Sequence, residues 1–201
     1  MKSWGAWVMA FFILASSRSF AGEGRTDEYA TALNPPRFEF ALESGYLFGV
    51  FDPPRDYQIA TEFVTGRVRW GMIDRAGWLR GYNQFYISAV AEPIVEGIEN
   101  HYFGLNFGMR YNFVQPGSRI IPYFSGGLGL GWIDSHANIP GGQGQDFTFN
   151  ILSAAGLSYK VNEQWKIDIG VLYEHLSNGG QTDPNPSLNL VGPQIGVGYS
   201  F

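Results

Sequence analysis

Residues 101–113, HYFGLNFGMRYNF, decide the fold of this chain. In this stretch apolar, mostly aromatic, side chains alternate with small and polar ones. One parity carries His101, Phe103, Leu105, Phe107, Met109, Tyr111 and Phe113, and the other carries Gly104, Asn106, Gly108, Arg110 and Asn112. Because successive side chains of a β-strand point to opposite faces, the pattern predicts a strand with one apolar face and one face of small or polar groups.

The same alternation recurs along the rest of the sequence, whereas a helical period is hard to find. Strands are predicted at residues 37–51, 57–71, 78–92, 100–113, 119–133, 146–160, 164–177 and 188–201. Each is long enough for the ~9 to 11 residues that a tilted strand needs to cross a bilayer. With 16% aromatic residues and 27 glycines, the chain is predicted to be all-β, an eight-stranded antiparallel transmembrane barrel.

Both ends of the sequence point to export. Residues 1–21 have the form of a secretory signal peptide, with Lys2, an apolar run from Ala6 to Ala15 and a small-x-small cleavage site that ends at Ala21. The barrel domain is therefore expected at 22–201. The sequence ends on the outward parity at Phe201, and this aromatic end resembles the C-terminal signature of barrels that the bacterial assembly machinery inserts. We expect that machinery as a partner and the outer membrane as the location.

Composition removes several classes of function. The formal net charge is −5 and no basic cluster occurs, so nucleic acid is not an expected partner. There is no cysteine, and the acidic residues lack metal-ligand spacing, so no metal and no cofactor is predicted. The glycine-rich run at 126–131 is not followed by a helical pattern and is better explained as a strand than as a nucleotide-binding loop.

Charged residues on the inward parity predict a filled interior. They are Glu39, Glu43, Arg110, Lys160 and Asp168. The interior of an eight-stranded barrel is just wide enough to be filled by side chains. An ion-paired plug is therefore expected, and it argues against the alternative of a small-solute channel.

Polar residues interrupt the apolar parity where the seventh strand ends. His175 and Ser177 continue the outward face of that strand, and Asn189 lies on the outward face of the eighth strand. Such groups are unfavourable against lipid unless they bond to each other or lie at the headgroup level. With the N-terminus in the periplasm, all three meet at the external rim. A hydroxyl, an imidazole and an orienting partner are the parts of an acyl-transfer site; a rim histidine bonded to headgroups is the simpler alternative.

The stretches EHLSNGG, residues 174–180, and NPSLN, residues 185–189, followed by a terminal strand, resemble the lipid A 3-O-deacylase family. A looser likeness extends upstream. It covers Gly81–Pro93, Asn100–Phe113 and Pro122–Gly131. The resemblance implies an outer-membrane barrel that hydrolyses an ester-linked acyl chain of lipid A on its outer wall, with lipopolysaccharide of the outer leaflet as the substrate.

The resemblance also implies roles for individual residues. Ser177 would be the nucleophile and His175 the general base. An oxyanion hole would be formed by Asn178, with the Gly179 or Gly180 amide.

One position departs from the family. Known members carry a glutamate, which orients the histidine, where this sequence has Asn189. An amide can hold an imidazole tautomer but cannot offer a negative charge to imidazolium. Asp183 in the adjoining loop is an alternative acid. The departure leaves a second hypothesis open, a non-enzymatic structural or lipid-binding barrel of the same ancestry.

Overall fold

The computed structural model describes residues 36–51, 54 and 56–201. Its eight strands are β1 Phe38–Gly49, β2 Gln58–Ile73, β3 Gly81–Glu96, β4 His101–Phe113, β5 Ile120–Ile133, β6 Phe147–Lys160, β7 Trp165–Ser177 and β8 Leu188–Ser200. Each strand pairs antiparallel with the next, and β1 pairs with β8, so the sheet closes into a barrel. This confirms the predicted architecture. The predicted signal peptide lies outside the described residues.

The two ends of the barrel differ in their connections. The loop end is defined as the end that carries the connections 50–57, 97–100, 134–146 and 178–187. The turn end is the opposite end, with the connections 74–80, 114–119 and 161–164.

In the described part of the chain, no helix has the length and apolar character needed to cross a membrane.

The alternation seen in the sequence matches the two faces of the sheet. On β4, Phe103, Leu105 and Phe107 point outward and are about half exposed, while Asn106 and Arg110 point inward and are buried. The outer wall is thus an apolar band around the barrel. In an aqueous protein such a surface would be an aggregation hazard, and against lipid it is the expected one.

Inward glycines make room for inward tyrosines. A Cβ atom placed on Gly108 would lie 2.7 Å from the hydroxyl oxygen of Tyr86. Gly127 faces the same hydroxyl from the neighbouring strand, and Gly131 faces the ring of Tyr102. The glycine-rich run of β5 therefore leaves space for aromatic side chains that fill the interior.

Ion pairs fill the interior towards the turn end. Arg67 donates hydrogen bonds to Glu39 and Glu43, each at 2.5 Å. Lys166 forms an ion pair with the other carboxylate oxygen of Glu39 at 2.9 Å. The prediction of a plug is correct, but its inclusion of Lys160 was wrong. Lys160 is partly exposed at the turn end of β6 and forms no ion pair with any described residue, because it lies at the rim.

The centre of this network is Arg110. Its guanidinium donates to Asp168 at 2.7 Å, to Ser158 at 2.6 Å and to Asn112 at 3.0 Å. The same group lies 3.6 Å from the centre of the Tyr123 ring. Because a buried charge is tolerated only when it is paired and hydrogen-bonded, these contacts are what allow an arginine at the centre of a barrel.

Towards the loop end the interior holds an apolar cluster, with buried polar side chains such as Glu92 and Glu174 beside it. Buried side chains of Leu47, Ile59, Leu176, Leu188 and Leu190 belong to one core cluster. The mouth above them is closed by a polar contact. Tyr57 donates its hydroxyl to the carboxylate of Glu99, which also accepts the backbone N–H of Gln143 at 2.6 Å. The barrel is therefore a filled support rather than a pore.

Removing the central cation tests this account of the interior. Among the described residues, Arg110→Leu leaves the buried Asp168 with only two cations, Arg67 at 3.8 Å and Lys166 at 4.0 Å. We therefore expect the free energy of unfolding to fall by about 3 kcal/mol. Urea unfolding in lipid vesicles, followed by tryptophan fluorescence, measures the change. Lys160→Ala is the matched control and should change stability by less than about 0.5 kcal/mol. Equal effects of the two substitutions would contradict the plug.

Candidate active site

His175 and Asn189 lie directly opposite each other on β7 and β8. Both side chains are on the outer wall near the loop end and are half buried. The imidazole Nδ1 and the amide Oδ1 are 2.9 Å apart. The structure thus brings together two of the three residues that the sequence predicted to converge.

This contact fixes the tautomer of the histidine. An amide oxygen only accepts hydrogen bonds, so in the neutral imidazole of His175 the proton lies on Nδ1 and Nε2 keeps its lone pair. The amide of Asn189 is oriented by a second contact, since its Nδ2 donates to the carbonyl oxygen of Ser187 at 3.4 Å. An imidazole with a free Nε2 can act as a general base.

Tyr173 is a further member of this cluster, which the sequence did not predict. The hydroxyl of Tyr173 donates to Oδ1 of Asn189 at 2.7 Å. Its outward position, two residues before His175, follows from the alternation in the sequence, but the alternation does not show which residue its hydroxyl contacts. Asn189 Oδ1 therefore accepts from two donors at once.

Ser177 is the last residue of β7 and shares the outward parity of His175. It is 9% exposed, and its partner on β6 is Phe149. Among the described residues, no hydrogen bond joins its hydroxyl to His175. Positions two apart on one strand face are separated by roughly 6.6 Å at the backbone, a separation that the two side chains can bridge. Catalytic hydrogen bonds are often long or poorly aligned until substrate binds.

The side chain of Asn178 is used within the loop that follows β7. Its Nδ2 donates to the carbonyl oxygens of Thr182 at 2.6 Å and Pro184 at 3.3 Å, and its Oδ1 accepts the backbone N–H of Gly180 at 2.9 Å. The side-chain amide of Asn178 therefore has partners of its own. These contacts stabilise the conformation of the 178–187 loop next to the end of β7.

The two glycines of this loop require left-handed backbone. Gly179 has φ of +69° and Gly180 has φ of +73°, values that side chains with a Cβ rarely adopt. The N–H of Gly180 is bonded to Asn178, whereas the N–H of Gly179 has no acceptor among the described residues. The Gly179 amide is therefore the donor of this pair that a ligand could use.

Asp183 lies on the exposed side of the loop. Within the described residues its carboxylate makes no hydrogen bond to His175 or Asn189. Its backbone packs against Gly144 of the 134–146 connection, whose N–H bonds the carbonyl of Pro184 at 2.8 Å. By geometry the partner of His175 is Asn189.

A second polar cluster lies at the loop end, on the other side of the barrel. Asp134 accepts from the side chain of Asn100 at 2.7 Å and from the backbone N–H of His101 at 2.9 Å. Burial raises the pKa of Asp134, but these hydrogen bonds outweigh it and lower that pKa to about 2. His136 lies 3.7 Å from the same carboxylate. In the described part of the chain, no three His, Cys, Asp or Glu residues form a group suited to a metal ion.

A closed eight-stranded barrel with an apolar outer wall defines an outer-membrane protein. Three solved structures are similar. Neisserial surface protein A has a TM-score of 0.59 and 13% identity, and the match covers 82% of this chain and 97% of that chain. The outer-membrane enzyme PagL has a TM-score of 0.52 and 19% identity, with 79% of this chain and 97% of that chain covered. The N-terminal barrel domain of Pseudomonas aeruginosa OprF has a TM-score of 0.51 and 16% identity, with 83% of this chain and 98% of that chain covered.

The family is given by sequence. The model of the lipid A 3-O-deacylase (PagL) family matches residues 63–199, which include the whole candidate site. The chain belongs to this family. A comparison with curated protein sequences gave no significant match.

The contribution of Asn178 to the conformation of the 178–187 loop can be tested without measuring enzyme activity. Asn178→Ala removes the acceptor of the Gly180 N–H, so exchange of that amide with solvent should accelerate by at least about fivefold. Hydrogen exchange followed by NMR in micelles measures it. Ser187→Ala, in the same loop but without a side-chain hydrogen bond among the described residues, should leave Gly180 protected. Unchanged protection in Asn178→Ala would contradict the assignment.

Proposed function

We propose that this protein is an outer-membrane esterase that removes an ester-linked acyl chain of lipid A by 3-O-deacylation. Ser177 is the nucleophile and His175 the general base. The observation that carries the proposal is the hydrogen-bonded pair of His175 and Asn189 on the outer wall, beside a serine of the same strand face. Family membership over residues 63–199 supports the substrate class.

The position of the site suits a substrate that is itself a membrane lipid. By the orientation expected from the sequence, the loop end faces the cell exterior, so the site lies at the level of the outer leaflet. A lipid A molecule in that leaflet reaches it by lateral diffusion along the apolar wall. Its ester bonds lie close to the headgroup, which matches a site at the rim.

The reaction follows from the tautomer of the neutral histidine. Once the two side chains are in contact, Nε2 of His175 takes the proton of the Ser177 hydroxyl while the Ser177 oxygen attacks the acyl carbonyl carbon. The tetrahedral intermediate collapses, the bond to the sugar oxygen breaks, and that oxygen takes the proton from His175. His175 then takes a proton from a water molecule, whose oxygen attacks the acyl-serine carbonyl. The second tetrahedral intermediate collapses, the bond to the Ser177 oxygen breaks, that oxygen takes the proton from His175, and the fatty acid leaves.

The tetrahedral intermediate carries a negative oxygen that needs donors. The free N–H of Gly179 lies two residues after the nucleophile and is our candidate donor. Asn178 contributes by holding the loop through its contacts with Thr182, Pro184 and Gly180. Removal of a single oxyanion donor typically lowers kcat by about 10² to 10³, so the loop conformation matters for rate.

Asn189 limits the rate that this site can reach. Its amide orients the imidazole, but it offers no negative charge to the imidazolium that forms when Ser177 is deprotonated. In a serine protease, exchange of the acid for an amide lowers kcat by about 10⁴. We therefore expect a slow enzyme.

The second candidate is a non-enzymatic barrel of the same ancestry. It is favoured by the amide at Asn189 and by the absence of a hydrogen bond between Ser177 and His175 among the described residues. Two of the similar solved barrels, neisserial surface protein A and the OprF domain, do not carry the name of an enzyme either. This candidate predicts no change in lipid A.

Mass spectrometry of lipid A separates the two candidates. Cells that express the protein should lose one hydroxyacyl chain from lipid A, and cells that express Ser177→Ala at the same outer-membrane level should not. Ser153→Ala is the matched control, because Ser153 is also an outward serine but lies lower on the wall of β6. Unchanged lipid A with a correctly inserted wild-type barrel would rule out the esterase.

Restoring the charge gives an independent test of the site. In Asn189→Glu a carboxylate faces Nδ1 of His175, so deacylation should become faster by at least about 10²-fold, out of the roughly 10⁴ that an acid can supply. Initial rates on purified lipopolysaccharide in micelles measure the change. Asn189→Leu, which can neither accept nor donate, should be slower than the wild type. A rate that is the same for glutamate and leucine would show that residue 189 does not act on the histidine.

A further inference from the structure

We propose that Tyr173 is a positioning residue that holds the neutral Asn189 amide in the orientation required by His175. The expected effect of Tyr173 on catalysis rests on the proposed function. Its effect on the orientation of the Asn189 amide and on the tautomer of His175 does not. The inference is carried by the shared acceptor: Oδ1 of Asn189 lies 2.7 Å from the Tyr173 hydroxyl and 2.9 Å from Nδ1 of His175.

The sheet register makes this contact geometrically natural. Tyr173 pairs with Val191 across β7 and β8, and His175 pairs with Asn189. Tyr173 and Asn189 are therefore diagonal neighbours on the outer face, a separation that an aromatic side chain can bridge. Tyr173 lies nearer the turn end than His175, so its hydroxyl contacts the amide from the side opposite to the 178–187 loop.

An amide needs such support more than a carboxylate does. The terminal torsion of asparagine is broad, and the two ends of its amide are similar in size. If the amide turned over, its NH₂ group would face Nδ1 and select the tautomer with a proton on Nε2. His175 would then present a donor to Ser177, and the general base would be lost. A carboxylate presents the same atoms after a half turn.

Two contacts of Asn189 favour the productive orientation. Nδ2 faces the Ser187 carbonyl, which only accepts, at 3.4 Å, and Oδ1 accepts from the Tyr173 hydroxyl at 2.7 Å. His175 can adopt the tautomer that suits either orientation. A phenol can also accept a hydrogen bond, but in the turned state the proton of Tyr173 would have no acceptor among the described residues. Without the Tyr173 hydroxyl, only the long contact to Ser187 would oppose the turned state.

The test removes one oxygen atom and leaves the ring in place. In Tyr173→Phe we expect kcat to fall about fivefold, the typical effect of one hydrogen bond, with KM unchanged. In the Asn189→Glu background the same substitution should change kcat by less than about twofold, because a carboxylate needs no help to face the histidine. Tyr159→Phe is the control, since Tyr159 is also an outward tyrosine but lies exposed near the turn end, away from His175.

A measurement without turnover keeps this inference separate from the proposed function. The ¹⁵N chemical shifts of the His175 ring, assigned with a His175→Gln variant and recorded in micelles, report which nitrogen carries the proton. We expect a proton on Nδ1 in the wild type and in Tyr159→Phe, and a mixture of tautomers in Tyr173→Phe. This result supports the inference even if lipid A is never cleaved. Identical tautomer populations in the wild type and Tyr173→Phe overturn it, even if the enzyme is active.

Discussion

The constraint on which the rest of this structure depends is the closed antiparallel register of the sheet. In a closed barrel every strand residue must face either lipid or the interior, and a shift by one residue would exchange the two faces of a strand. The register of β7 and β8 therefore places His175 and Asn189 opposite each other on the outside and Glu174 inside. The same rule that builds the wall also assembles the site.

The filled interior gives the site a rigid base. The ion pairs around Arg110 and the apolar cluster near the loop end leave the strands little freedom to move relative to each other. His175, Asn189 and Tyr173 are all on strands, where side chains are held more precisely than on loops. The N–H of Gly179, which we propose as the oxyanion donor, lies in a loop, and the contacts of Asn178 stabilise that loop from within.

Much of the fold and part of the site could be predicted from the sequence, because successive side chains of a strand alternate between its two faces. The eight strands follow from alternation. The common outer face of His175 and Asn189 follows from counting parity along β7 and back from Phe201, and their meeting at one end follows from the predicted end of β7 and start of β8. Contacts that depend on side-chain torsions could not be predicted in this way. The Tyr173 hydroxyl on Asn189, the loop contacts of Asn178 and the lack of a Ser177–His175 hydrogen bond have no periodic signal. The inclusion of Lys160 in the plug failed because parity gives the face of a residue but not its depth.

The central claim is that the outer wall carries an activated serine. A fluorophosphonate with a long alkyl chain tests it most directly, since it partitions into the membrane and reacts with serines whose hydroxyl is deprotonated by a base. After incubation with the barrel in lipid vesicles, peptide mass spectrometry should find the adduct on Ser177, and His175→Gln should abolish it. A folded barrel in which Ser177 stays unmodified, or is modified equally without His175, would contradict the account.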